Sequence, residues 1–147
     1  FDSWAGQLSK RQAKTLLQPV TKRLISRLKV FKKPIIYYPG EGSQRLSEAF
    51  ELEADVIHVD WRSSLSEAVR LAGLTSHKLC LQGNLEPQLL SFGSEDLVRQ
   101  RVRELCKEAQ SLGLGGYIFN VGHGLLPTTK PDALFWVTDE LNSITGG

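Results

Sequence analysis

Methionine is absent from the 147-residue sequence, cysteine occurs twice and histidine three times. Cys80 and Cys106 are too few and too far apart in the chain for a disulfide scaffold. They read as free thiols in a reducing compartment, with a disulfide or metal pair as the alternative. No apolar run approaches the ~18 residues that suggest a membrane span. No charged start, apolar core and small-residue cleavage pattern occurs. Several signatures of chemistry are missing too. There is no Gly-x-Ser-x-Gly elbow and no Gly-x-x-x-x-Gly-Lys phosphate loop. Gly113-Leu114-Gly115-Gly116 precedes a strand-like run, whereas a dinucleotide fingerprint follows one. No His/Cys/Asp cluster has metal-ligand spacing.

A stretch without acids stands out. Nothing acidic lies between Asp2 and Glu41, and Lys10, Arg11, Lys14, Lys22, Arg23, Arg27, Lys29, Lys32 and Lys33 carry nine of the 18 basic residues. No aromatic residue interleaves them between Trp4 and Phe31, and no nucleic-acid motif is present. The expected role is a solvated helix face; attraction of an anionic substrate is the sharper alternative. The whole chain has a net charge of +2, with 41% hydrophobic and 23% charged residues. That suits one globular domain, or part of one. The opening Phe1-Asp2-Ser3-Trp4-Ala5-Gly6 looks like the tail of a strand. With the missing methionine, it leads to the expectation of a segment from a longer protein.

The remainder alternates regularly. Ser9 can cap a helix carrying Leu16, Leu17, Val20, Leu24, Ile25 and Leu28 at helical spacing, which Pro19 should kink or divide. Strands are expected at Pro34–Tyr38, Asp55–Val59 and Lys78–Gln82. A fourth begins at Gly116 and runs through Tyr117-Ile118-Phe119-Asn120-Val121 into Gly122-His123-Gly124. Helices follow each: Leu46, Ala49 and Phe50 on one face; a Ser64–Glu67 capping box; a long helix capped by Ser94 and ending at Gly113; and a last one from about Pro131 to Ile144. A strand end and helix, then strand–helix four times, means an α/β fold with a parallel sheet. An open doubly wound sheet and about half of a (β/α)8 barrel both fit. The strands are apolar nearly throughout, as if buried on both faces.

Strand carboxyl ends are where such proteins place chemistry. They carry Ser3, Tyr38, Asp60, Trp61, Arg62, Gln82, Asn84, Asn120 and His123. His123, flanked by glycines, could bind a carboxylate or shuttle protons; otherwise it satisfies a turn. Ser3 reads alone as a turn residue, Asp60 with Arg62 as a local ion pair, and Gln82 and Asn84 as partners of loop backbone. His58, inside a strand, and His77, in a polar turn, read as structural or solvent-facing.

Four stretches together resemble the uroporphyrinogen decarboxylase family: Phe1-Asp2-Ser3-Trp4-Ala5-Gly6, His58-Val59-Asp60-Trp61, Leu81-Gln82-Gly83-Asn84-Leu85-Glu86-Pro87, and Tyr117 to Gly124 with Leu126-Pro127. They span nearly the whole sequence. The resemblance implies a (β/α)8 TIM-type barrel, with residues 1–147 as a single partial domain forming roughly its carboxyl-terminal half. It implies decarboxylation of the acetate side chains of uroporphyrinogen III to give coproporphyrinogen III, without metal or organic cofactor, in a homodimer when full length. Neither nucleic acid nor membrane is an expected partner. The expected location is cytoplasmic, or a plastid in a photosynthetic eukaryote. Ser3 and His123 match substrate-binding positions, and Phe1, Gln82 and Asn120 match pocket-lining ones. The family's arginines, central aspartate and tyrosine belong to its amino-terminal half and have no counterpart here, so the segment alone is expected to be inactive. Two other readings stay open: a corrinoid-related methyltransferase, which needs a His/Cys zinc set, and a non-catalytic half-barrel that pairs with another chain or binds a porphyrin.

Overall fold

The computed structural model describes residues 2, 5–40, 45–73 and 78–146. After a 3-10 turn at Ala5–Gln7, a helical run comprises α1 (Lys10–Gln12), a π-helical stretch (Ala13–Leu17) and α2 (Gln18–Leu28). Ser9 starts it with a full capping box: its hydroxyl accepts the Gln12 N–H, and Gln12 Oε1 accepts the Ser9 N–H. Pro19 lies in the first turn of α2, where its missing N–H is not needed, and the wide π turn comes just before it.

The buried stripe of this run takes in only part of the apolar set. Ala13, Thr21 and Ile25 face the protein, with Leu17 half-buried. Leu16, Val20, Leu24 and Leu28, at strict four-residue spacing, are exposed. The nine basic residues are all exposed, as a solvated face requires.

The strands are β1 (Ile36–Tyr37), β2 (Val56–His58), β3 (Cys80–Leu85) and β4 (Gly116–Val121). Between them lie α3 (Leu46–Phe50), α4 (Leu65–Ala72), α5 (Pro87–Phe92) and α6 (Glu95–Ser111), and α7 (Pro131–Thr145) closes the order. Ser64 and Ser94 cap α4 and α6 by accepting the Glu67 and Leu97 N–H groups, and Gly113 takes the left-handed conformation after α6. β3 starts later than expected and continues through Gly83-Asn84. Gly83 permits this: its φ is 130°, and a Cβ there would meet the Val59 carbonyl oxygen at 2.5 Å. α5 was not expected. Pro87 in its first turn starts this short helix.

All pairings are parallel and the sheet order is β1-β2-β3-β4. Register separates two faces. Tyr37, Ile57, Val59, Leu81 and Leu85 pack on helix residues, including Ile25, Leu46, Ala68, Val102 and Ala133. The other face carries Ile36, His58, Gln82, Ile118 and Asn120. Sequential order with helices on one face is an arc of a βα barrel, not a doubly wound sheet. Burial on both strand faces, expected from the apolar runs, holds for β2, where Val56, Ile57 and His58 are all buried, but not for β1 and β4, whose inner-face Ile36 and Ile118 are 46% and 39% exposed.

Asp2 adjoins the β1 edge. Its N–H donates to the Tyr38 carbonyl at 3.0 Å, and its carboxylate accepts from the Tyr37 hydroxyl at 2.6 Å. Burial, then this hydrogen bond, pushes the Tyr37 hydroxyl pKa well above its ordinary value. The rest of the expected strand end, including Phe1 and Ser3, lies outside the described residues, as does His77.

Candidate functional site

The inner face ends in a cavity of about 440 Å³ lined by Ile36, Tyr38, His58, Gln82, Asn120, Val121, His123 and Gly124. The strands place His58, Gln82 and Asn120, while Tyr38 and His123 lie just past the ends of β1 and β4. His58 and Gln82 are register partners, and His58 Nδ1 lies 3.0 Å from Gln82 Oε1. Asn120 turns its Oδ1 to the Val121 N–H at 2.8 Å. Tyr38 stands edge-on to both imidazoles, with ring centroids 4.9 Å from His58 and 6.3 Å from His123. The structure thus brings Gln82, Asn120 and His123 together around one space. The expected role of Gln82, bonding loop backbone, is corrected: it sits within β3 and holds His58. His58, expected to be structural or solvent-facing, is a buried wall of the cavity.

The two glycines beside His123 do different work. Gly122 continues the β4 ladder by donating to the Leu85 carbonyl at 2.7 Å. A Cβ there would collide with the backbone and Cβ of Trp61, so glycine is needed for close approach of β4 to the β2 end. A Cβ at Gly124 would meet nothing within 4 Å. Beside Gly122, Asp60 is buried and accepts from Arg62 through backbone N–H and guanidinium, both at 2.9 Å. The guanidinium lies 4.6 Å over the Trp61 ring. The local ion-pair reading therefore holds. Buried Asn84 donates to the Ser63 carbonyl, which fixes the same loop.

Among the described residues, no three His, Cys, Asp or Glu side chains stand together as a metal set. Cys80 and Cys106 are free and half-buried, and burial pushes both thiol pKa values up. A larger groove of about 610 Å³ lies between α5 and α6 under Trp61, lined by Leu89, Phe92 and Leu97. Its Arg101 is paired with Glu86 and Glu104. It shares no lining residue with the histidine cavity.

Residues 1–144 match the family model of uroporphyrinogen decarboxylase (URO-D). The chain belongs to that family. It is 37% identical to the uroporphyrinogen decarboxylase of Streptomyces coelicolor over 145 residues, covering 99% of this chain and 39% of that protein. Against the Staphylococcus haemolyticus enzyme it is 36% identical, covering 99% and 40%; against that of Nocardia farcinica it is 39% identical, covering 91% and 38%. The chain therefore spans about two-fifths of the length of the URO-D relatives it matches. A solved methyltransferase from Methanosarcina mazei superposes with a TM-score of 0.72 over 94% of this chain and 38% of its own, at 16% identity. That likeness is one of fold. It agrees with the barrel arc seen here, and β4 with its Gly-His-Gly turn falls within the URO-D match.

Proposed function

We propose that this chain is the carboxyl-terminal part of a uroporphyrinogen decarboxylase, and that residues 1–147 form one partial domain of its barrel. The whole enzyme removes CO2 from the acetate side chains of uroporphyrinogen III to give coproporphyrinogen III. A proton adds to the pyrrole ring, the bond to the carboxylate breaks, its electron pair flows into the ring, and the resulting exocyclic carbon takes a proton as the ring loses one. The reaction requires the carboxylates to be held and the ring oriented. His123 at the cavity mouth binds a substrate carboxylate, and Ser3 donates a hydrogen bond to the substrate. Phe1, Gln82 and Asn120 line or support the pocket. The observation that carries this reading is the gathering of Gln82, Asn120 and His123 on the unpacked inner face of a URO-D-family barrel arc.

The rest of the catalytic apparatus belongs to the amino-terminal half, so the isolated chain is inactive; the full-length enzyme, by family resemblance, is a homodimer of the cytoplasm, or of the plastid in a photosynthetic eukaryote. The exposed stripe Leu16, Val20, Leu24 and Leu28, with Ile118 on the inner face, supports docking of further barrel units. Incubating the 147-residue chain with uroporphyrinogen III and following coproporphyrinogen III by chromatography tests this. No turnover is expected alone; turnover above background without a partner refutes the claim that the catalytic centre lies elsewhere.

A further inference from the structure

A polar cluster lies behind the carboxyl end of β1, on the side of the sheet that packs against helices. Tyr37 belongs to the same core as Ile25, Leu46 and Ala49. Its hydroxyl donates to Asp2 Oδ2 at 2.6 Å, and the Thr21 hydroxyl donates to the same oxygen at 3.4 Å. Arg45 is 6% exposed and pairs with Glu48 at 3.8 Å. Burying an arginine costs more than burying an apolar side chain of its volume, so the cluster calls for a use. The bonds that leave it converge on one place. The Asp2 N–H donates to the Tyr38 carbonyl at 3.0 Å, and Arg45 Nη1 donates to the Pro39 carbonyl at 3.1 Å. β1 ends at Tyr37, so the two bonds hold the first residues beyond the ladder. The residue so held is Tyr38, whose ring is the cavity wall that stands edge-on to both His58 and His123.

We propose that Asp2 and Arg45 are positioning residues for this cavity. They fix the Tyr38–Pro39 backbone, and the Tyr38 ring in turn fixes the direction in which His123 meets a substrate carboxylate. This deepens the reading of His123 given above and rests on it. Neither Asp2 nor Arg45 lines the cavity; both act through Tyr38. Tyr37 serves the same end at one remove, since its hydroxyl holds the Asp2 carboxylate.

Steady-state kinetics of the full-length protein that contains this chain test this, with uroporphyrinogen III as substrate. Arg45→Met keeps the bulk and removes the donor. It should raise KM about tenfold, the size of one lost hydrogen bond to substrate, and leave kcat within about twofold. Arg45→Lys, which keeps a donor, should recover part of that loss. Tyr37→Phe removes one hydroxyl behind Asp2 and should raise KM about threefold, the low end for one hydrogen bond. The deciding background is Tyr38→Leu, which removes the ring and keeps an apolar filler: there Arg45→Met should add no further rise in KM. An equal rise in both backgrounds, or a fall in kcat with KM unchanged, overturns the positioning role. So does an Arg45→Met enzyme with unaltered KM while His123→Ala is impaired, and the carboxylate reading of His123 then stands. If His123→Ala and Tyr38→Leu both match the unaltered enzyme, or if the unaltered full-length protein shows no turnover, both readings fall. If Arg45→Met does not fold, by circular dichroism, Tyr37→Phe with and without Tyr38→Leu decides.

Discussion

Replacing Gly122 with alanine should destabilise the protein sharply, whereas the same change at Gly124 should not. The two glycines flank His123, but only the first is packed. A Cβ on Gly122 would meet Trp61 backbone atoms, and its Cβ at 2.6 Å. Trp61 has little room to yield. Its neighbour Asp60 is buried and tied to Arg62 and to the Ser63 N–H, and Asn84 holds the Ser63 carbonyl. The clash is therefore relieved by pushing the end of β4 away, which breaks the 2.7 Å bond from Gly122 to Leu85. Overpacking against rigid surroundings costs about 3 kcal/mol, the upper end of the usual range. For a domain of this size that lowers Tm by roughly 6–12 °C. Gly124→Ala should stay within about 0.5 kcal/mol, as surface changes do. Thermal unfolding by circular dichroism measures both. Equal effects, or a larger one at Gly124, would refute the assignment of close packing to Gly122.

Further outcomes follow from other contacts. Glu140 on α7 is largely buried and accepts from Arg103 at 2.8 Å, with Arg99 at 3.6 Å. Discounted for the exposure of Arg103, Glu140→Gln should cost about 1–2 kcal/mol in urea unfolding; an unchanged midpoint would contradict the role of this network. Leu24→Gln on the exposed stripe should shift stability by no more than about 0.5 kcal/mol, while Ile25→Ala next to it should cost about 2–4 kcal/mol. Similar losses at both would mean that the stripe is covered in the isolated chain. Because burial raises the Cys80 and Cys106 pKa values, both should react with a thiol-directed disulfide reagent more slowly at pH 8 in the native chain than in denaturant; equal rates would show them to be open.

The alternation of strands and helices was readable because apolar runs, caps and glycine stops agree with one another. Ser9, Ser64, Ser94 and Gly113 all act as their residue types suggest. Barrel and doubly wound sheets share that pattern, so only the strand order and the placement of all helices on one face decide between them. The orientation of the helix around α2 is not legible because both its faces carry apolar residues at helical spacing. Periodicity does not say which face has a partner, and Ala13 and Thr21 are weak signals for a buried stripe. At the site, the motif positions of Gln82, Asn120 and His123 were legible, but the role of His58 was not. Its partner Gln82 lies 24 residues away, and only the β2–β3 register joins them. The tether from Asp2 to Tyr37 likewise has no local signature.

The most direct measurement joins this chain to the amino-terminal three-fifths of the Streptomyces coelicolor relative and follows coproporphyrinogen III formation from uroporphyrinogen III. The account predicts turnover by the joined protein and none by either part alone. It also predicts about a 10–100-fold loss on His123→Ala, as for removal of a charge-assisted hydrogen bond. A folded joined protein without turnover, or one indifferent to His123→Ala, would contradict it.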